Sequence, residues 1–335
     1  MKRILSIDGG GIKGVFPAAI LKHMEEQLPN PISRYFDLIV GTSTGGIIAL
    51  ALGLGLSGRE IVSFYEIHGP RIFIPKKKGL FSGLVHKASF GYSDMIFDTK
   101  YEANLLKSAL AETFEGLRIG DSHNRLVIPS FNIQTGSVHI FKTRHHERFE
   151  KDWRVPAVEA GLATSAAPIY FDTFRTASGV PLVDGGVFAN NPVGLAVVEA
   201  IGVLGWKPEE IQVLSLGCTH EAYHANLEKP NLGYKDWGPQ GLTELFMRAQ
   251  DSASLGTAML LAGHPIHNNV YRLSKEAPPK LYTLDGVNRI DLLKSLAADV
   301  AREEIAKLRK LGFFDQPAEA FVPIPMPNVK EGVAG

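Results

Sequence analysis

Leu38-Ile39-Val40-Gly41-Thr42-Ser43-Thr44-Gly45, running on into the apolar stretch Gly46 to Leu54, decides how this chain is read. Three apolar residues of strand type end in a turn of small residues, and a helical pattern follows at once. That is the setting a G-x-S-x-G nucleophile elbow requires, with Ser43 at its centre. A strand turning sharply into a helix thrusts the turn side chain outward, and glycines on either side let the backbone pass. The helix N-terminus then aims free N–H groups and partial positive charge at the same point. On the pentapeptide alone, a plain Gly/Thr/Ser turn with a solvated hydroxyl fits equally well.

Upstream, Ile4-Leu5-Ser6-Ile7 reads as a buried strand closed by Asp8-Gly9-Gly10-Gly11-Ile12-Lys13-Gly14. Apolar residues at helical spacing follow from Val15 to Leu28, with Pro17 near the start. Gly9, Gly11 and Gly14 match G-x-G-x-x-G, the dinucleotide fingerprint. That fingerprint wants a ribose-binding acid at the end of the second strand, where this chain has its elbow instead. The favoured reading is an oxyanion hole, in which consecutive glycines expose backbone N–H groups to a charged oxygen. Lys13 places a positive charge beside it.

Downstream, the dense small residues Ala163-Thr164-Ser165-Ala166-Ala167-Pro168 imply close backbone approach near a site. Leu182-Val183 then runs into Asp184-Gly185-Gly186, and Asn190-Asn191-Pro192 opens a further helix from Val193 to Leu204. An acid at a strand end before two glycines suits a cleft better than a core. Strand, loop and helix recur, so the class is α/β with a mainly parallel central sheet. Ser57-Gly58-Arg59-Glu60 and Thr99-Lys100-Tyr101-Glu102 read as capping boxes opening helices. Gln212 to Leu216 and Val270 to Leu273 read as strands, and Leu242 to Leu261 and Arg289 to Leu311 as helices. Thr219 to Gln240 reads as a long polar loop, the pair His145-His146 beside Arg144 and Glu147 as polar surface rather than a metal site, and Pro317 to Pro327 as extended chain.

Residues 69–97 have no clean period. They mix Pro70 and Pro75, the basic run Lys76-Lys77-Lys78, and Phe73, Phe81, Leu84, Phe90, Ile96 and Phe97. This is read as an irregular cap or lid. Basic and aromatic residues together suit a surface touching anionic lipid headgroups, and a solvated loop over the core fits the charges equally well. With no linker or repeat in view, residues 1–335 are read as one domain.

At 335 residues and 45% hydrophobic content the chain can bury a large core. Lys+Arg 35 balances Asp+Glu 35, which gives no reason to expect nucleic-acid binding. The single Cys218 rules out an intramolecular disulfide framework or a Cys-rich zinc site, and is expected to pack as a small apolar residue. The N-terminus is not patterned as a signal peptide, and no uncharged apolar stretch reaches the ~18 residues of a spanning helix. A cytoplasmic protein is expected.

Four motifs in order, the Asp8 to Gly14 glycine run, the Gly41 to Gly45 elbow, the Ala163 to Pro168 segment and Asp184-Gly185-Gly186, resemble those of the patatin-like phospholipases. Beyond about Leu216 the resemblance thins. It implies a three-layer patatin-like α/β sandwich and a lipid acyl hydrolase acting at a membrane surface on phospholipid. The dyad it implies is Ser43 as nucleophile and Asp184 as base, with no histidine, metal or cofactor. Gly9, Gly10 and Gly11 would supply oxyanion N–H groups. Lys13 stands where the family often has Arg, keeping the charge for a substrate or phosphate contact but losing the planar fork. Stand-alone proteins of this type include effectors switched on by a cyclic nucleotide, which makes such an activator an expected partner and leaves a homo-oligomer open. Two other readings stand beside it. One is a Ser-His-Asp α/β-hydrolase using His220, His224, His264 or His267; the other is a nucleotide sensor without hydrolase activity.

Overall fold

The computed structural model describes residues 1–76, 99–223, 231–263 and 269–325. In chain order the elements are β1 (Lys2–Ile7), α1 (Val15–Glu25), β2 (Leu38–Gly41), α2 (Thr44–Gly53), α3 (Gly58–Ile72), α4 (Ala103–Phe114), β3 (Arg125–Asn132), β4 (Ser137–Lys142), α5 (Ala157–Thr164), β5 (Phe174–Arg175), β6 (Pro181–Asp184), α6 (Gly186–Ala189), α7 (Val193–Gly202), β7 (Ile211–His220), α8 (Tyr234–Leu261), β8 (Val270–Glu276) and α9 (Ile290–Lys310).

The strands form one sheet in the order β5-β6-β3-β2-β1-β7-β8, with β4 added beside β3. β3, β2, β1, β7 and β8 run parallel, as the repeated strand–loop–helix pattern predicts. Side chains alternate across these strands. Leu5, Ile7, Ile39, Leu126, Leu214 and Leu216 join a core shared with α1 to α5 and α9. Ile4, Leu38, Val40, Val127, Val213 and Val270 join a second core shared with α7 and Ala258 of α8. The result is helix, sheet, helix: the three-layer α/β sandwich the resemblance implies.

Register explains where the site forms. Ile7 pairs with both Gly41 and Leu216, so β1 and β2 end level and their following loops share one edge of the sheet, while β7 runs on past that edge to His220 beside β8. Open α/β sheets bind ligands outside these carboxyl ends. β3 continues past that edge. Val127 pairs with Val40 of β2 and Lys142 of β4, while Ser130 pairs with His139 of β4 and Asp184 of β6. β4 therefore occupies one side of β3, and β2 and β6 share the other, meeting end to end from opposite directions. Pro129, with no N–H to donate, sits at the gap between them.

Several local expectations change. Residues 69–72 are not irregular: α3 runs through Pro70 to Ile72, because Ile61, Val62, Phe64, Tyr65, Gly69 and Ile72 keep one buried stripe. The rest of the cap region from residue 77, with Lys77, Lys78, Phe81, Leu84, Phe90, Ile96 and Phe97, lies outside the described residues. Ser57 does close a capping box with Glu60. Thr99 does not, since its hydroxyl bonds Asp172 and Tyr101 is held in a bridge with Pro75. The Thr219 to Gln240 loop is shorter than expected: β7 extends to His220, paired with β8, and α8 begins at Tyr234. His145 is fully buried rather than surface, held between the Thr143 hydroxyl and Glu199 of α7, 54 residues along the chain.

Gly45 illustrates how tightly the elbow is seated. A Cβ there would collide with the backbone carbonyls of Ile7 and Asp8, so α2 packs directly on the end of β1. Gly45→Ala is expected to lower stability by about 3 kcal/mol through overpacking, measured by urea denaturation; an unchanged midpoint would show that the contact yields freely.

Candidate active site

Ser43 occupies the turn between β2 and α2 with φ 55° and ψ −124°, a left-handed conformation that a non-glycine residue holds only under constraint. The constraint is visible in its bonds. The Ser43 N–H donates to the Thr164 hydroxyl at 3.0 Å, and that hydroxyl donates to the Pro129 carbonyl at the gap in the sheet. Thr42 is fastened on the other side, its hydroxyl donating to the Ala189 carbonyl at 2.6 Å. The side chain is thereby directed outward, as an elbow requires.

The Ser43 hydroxyl donates to Asp184 Oδ2 at 2.6 Å, and the Gly186 N–H donates to Oδ1 at 2.7 Å. The segment of small residues positions this acid. Asp184 N–H donates to the Ala166 carbonyl at 3.0 Å and Gly185 N–H to the Thr164 carbonyl at 3.3 Å. Asp184 is only 5% exposed. Burial pushes its carboxyl up to about 6, against the opposing pull of the Ser43 and Gly186 hydrogen bonds. A serine hydroxyl bonded to a carboxylate of raised proton affinity is an arrangement that can transfer the serine proton.

The glycine loop faces this pair. Gly9 packs against Ser43 and Asn190, and a Cβ would not fit. Its N–H is already donated to the Asn190 carbonyl at 2.9 Å. Gly10 and Gly11 are different: among the described residues, nothing accepts their N–H groups. Gly10 lies on the buried Cys218 sulfur, and Gly11, at φ 57°, lies against the Leu284 carbonyl. Cys218 thus packs as a small buried residue at the back of the loop. Lys13 lines the same cleft and donates to the Thr219 carbonyl at 2.8 Å, with no carboxylate within ion-pair distance among the described residues.

Arg272 of β8 is a contributor that motif reading missed. It grips Asp8 through both guanidinium nitrogens, at 2.8 Å from Nη1 to Oδ1, and also reaches the Ser215 hydroxyl. Burial pushes the Asp8 carboxyl up while Arg272 opposes it. This fork holds the start of the glycine loop in place. A charge inside the short apolar run Val270 to Leu273 was the available signal.

The cleft over these residues has a volume of about 1200 Å³. Ile47, Phe64, Ile72, Phe73, Leu106 and Phe171 form an apolar wall. His220 also lines the cleft, but its Nδ1 faces the Ser274 hydroxyl at 2.9 Å. Among the described residues no histidine is bonded to Ser43 or Asp184; His224, His264 and His267 lie outside them.

The model of the patatin-like phospholipase family matches residues 5–197. A cGAMP-activated phospholipase of Pseudomonas aeruginosa is 34% identical over 278 residues, covering 82% of this chain and 79% of its own length. Another, of Vibrio cholerae, is 32% identical over 347 residues, covering 95% and 96%. Patatin-like protein 2 of Oryza sativa is 28% identical over 378 residues, covering 92% of each. Among solved structures, the ExoU–SpcU complex of Pseudomonas aeruginosa aligns with 95% of this chain and 52% of that one, at 13% identity and a TM-score of 0.43.

The raised proton affinity of Asp184 has a consequence for stability. Its folded value of about 6 lies above the unfolded carboxyl value of about 3.9, so the folded state binds this proton more tightly. The stabilisation is fully present below about pH 4 and is lost as pH rises through 6. Asp184→Asn is therefore expected to be more stable than the parent by about 2 kcal/mol at pH 7.5. The gain should shrink as pH falls through 6 towards 4, read by thermal melts; a gain independent of pH would contradict the buried carboxylate.

Proposed function

The chain belongs to the patatin-like phospholipase family, and on that premise we propose that it hydrolyses fatty-acyl esters of membrane phospholipids through a Ser43–Asp184 dyad. The observation that carries this reading is the 2.6 Å hydrogen bond from the Ser43 hydroxyl to a buried carboxylate, at the foot of an apolar cleft.

In the proposed reaction, Ser43 Oγ attacks the ester carbonyl carbon as Asp184 Oδ2 takes its proton. The carbonyl oxygen becomes an oxyanion facing the free N–H groups of Gly10 and Gly11. Preorganised donors of this kind typically contribute about 3 kcal/mol each to the barrier reduction. Gly9 belongs to the same turn, but its own N–H is engaged by Asn190, so it acts by shaping the loop. The tetrahedral intermediate collapses, the C–O bond to the glycerol oxygen breaks, and that oxygen leaves with the proton from Asp184. A water then gives its proton to Asp184 and attacks the acyl-serine carbon, and the proton returns to Ser43 as the fatty acid departs. With its carboxyl near 6, Asp184 is ionised at neutral pH and a stronger base than an ordinary carboxylate.

The apolar wall from Ile47 to Phe171 suits the acyl chain, and the Lys13 ammonium suits the phosphate. The rim suits a lipid surface: Phe246 is 66% exposed, and Ile169, Val187 and Leu284 are exposed around the same opening. No helix among the described residues is long and apolar enough to cross a membrane. Relatives named cGAMP-activated phospholipase, at 30–34% identity, support a cyclic nucleotide as activator.

Fatty acid release from phosphatidylethanolamine and phosphatidylglycerol vesicles tests the reading. Release is expected to increase with cGAMP, and to fall by at least about a thousandfold in Ser43→Ala while the fold, by circular dichroism, is kept. Release that survives Ser43→Ala would overturn the dyad. Release unaffected by cGAMP would remove the activator and leave a constitutive hydrolase.

A further inference from the structure

α8 is broken at Gly238, and the long part that follows rests on the second core through Leu255, Ala258 and Met259; among its described side chains only Ala258 is buried. Beside that packing it makes a row of polar contacts to α6, to the turn after it and to the first turn of α7. Ser254 donates to the Asn191 carbonyl at 2.6 Å and accepts the Gly194 N–H at 2.9 Å. Asp251 accepts from the Asn191 side chain at 2.8 Å. Gln250 spans the single turn of α6, its Oε1 accepting the Asn190 N–H at 2.8 Å and its Nε2 donating to the Gly186 carbonyl at 3.1 Å.

Gly186 and Asn190 are the positions that hold the reacting parts. Gly186 N–H donates to Asp184 Oδ1, while the Asn190 carbonyl accepts the Gly9 N–H and the Asn190 amide donates to the Gly9 carbonyl at 3.4 Å. We infer that Gln250 is a positioning residue whose side-chain amide sets Asp184 and the glycine loop in register with Ser43, while bonding to none of them. The inference rests on the dyad reading above.

The physical reason is the shape of the amide. One acceptor and one donor sit at fixed separation on a rigid plane. They can satisfy the N–H at one end of α6 and the carbonyl at the other only when the two ends have one spacing. In a partly buried site such bonds are strengthened by the low local dielectric. Small errors of placement at a reacting centre cost rate more than binding, about a hundredfold for 1 Å. Phe246 and Met247, one turn before Gln250, line the cleft. The helix that touches a cleft occupant is thus also the helix that spaces the loop.

The test measures fatty acid release from the same vesicles, with cGAMP present, by the full chain and by Ser43→Ala, Gln250→Met, Gln250→Glu and Ser252→Ala. Gln250→Met keeps the volume and removes both polar contacts. Its kcat is expected to fall at least about tenfold with KM within about twofold. The acid limb of its kcat profile should move to higher pH, because the Gly186 N–H no longer fixes the ionised form of Asp184. Gln250→Glu keeps the acceptor for Asn190 and loses the donor to Gly186, and should fall between. Ser252, exposed on the same helix, should be replaceable without effect. Wild-type kcat and pH profile in Gln250→Met, with Ser43→Ala inactive, would overturn this inference alone. So would a fall in kcat with raised KM and an unmoved acid limb, the mark of a merely structural role. Should Gln250→Met fail to fold by circular dichroism, Gln250→Glu decides, and a wild-type profile there overturns the inference. Release that does not depend on Ser43 would overturn the dyad reading and this inference with it.

Discussion

The rest of the structure depends on one strand edge being shared. β2 and β6 cannot both lie along the whole of β3, so each takes part of the same side and they approach from opposite directions. Each leads, at its C-terminal end, into one member of the Ser43–Asp184 pair. Ser43 follows the last residues of β2, Asp184 is the last residue of β6, and abutting ends bring the two side chains within 2.6 Å. Pro129 suits the gap because it has no N–H left without a partner there, and its carbonyl is taken by Thr164. A sheet parallel throughout would have put the acid-bearing strand end level with its neighbours instead of against the elbow.

Holding that arrangement is energetically unfavourable locally. Ser43 stays in a left-handed conformation, and Asp184 keeps a carboxylate out of water. Both are maintained by hydrogen bonds from elements far apart in the chain, the Thr164 hydroxyl on the elbow and the Ala166 and Thr164 carbonyls on the end of the acid strand, while the Asn190 carbonyl and the Arg272–Asp8 ion pair hold the glycine loop beside them. The cores above and below the sheet supply the stability these features draw on.

Much was legible in advance because local chemistry demanded it. Glycines at 9–11, 41 and 45 stand where a Cβ would collide, with the Asn190 and Cys218 side chains at Gly9 and Gly10 and with backbone at Gly11, Gly41 and Gly45, and a strand–turn–helix around Ser43 needs no partner to be recognised. The alternation of strands and helices gave the parallel core, and the density of small residues at 163–168 correctly implied close approach. Local signals failed where a distant partner took over. Thr99 is a good cap by sequence but bonds Asp172, and His145 looked exposed until Glu199 of α7 was seen to hold it. Arg272 and Gln250 carry no motif at all.

By itself, then, the sequence determined the residue types at the site, the elbow that presents Ser43 and the class of the sheet, since these follow from backbone sterics and hydrophobic period within a few neighbours. Only the tertiary structure decided that Asp184 comes from an antiparallel strand, that Gly10 and Gly11 rather than Gly9 keep N–H groups without an acceptor among the described residues, and that Arg272 and Gln250 fasten the loops. Those outcomes depend on which hydrogen-bond partner reaches a group first across 60 to 264 residues of chain, and no local pattern encodes that.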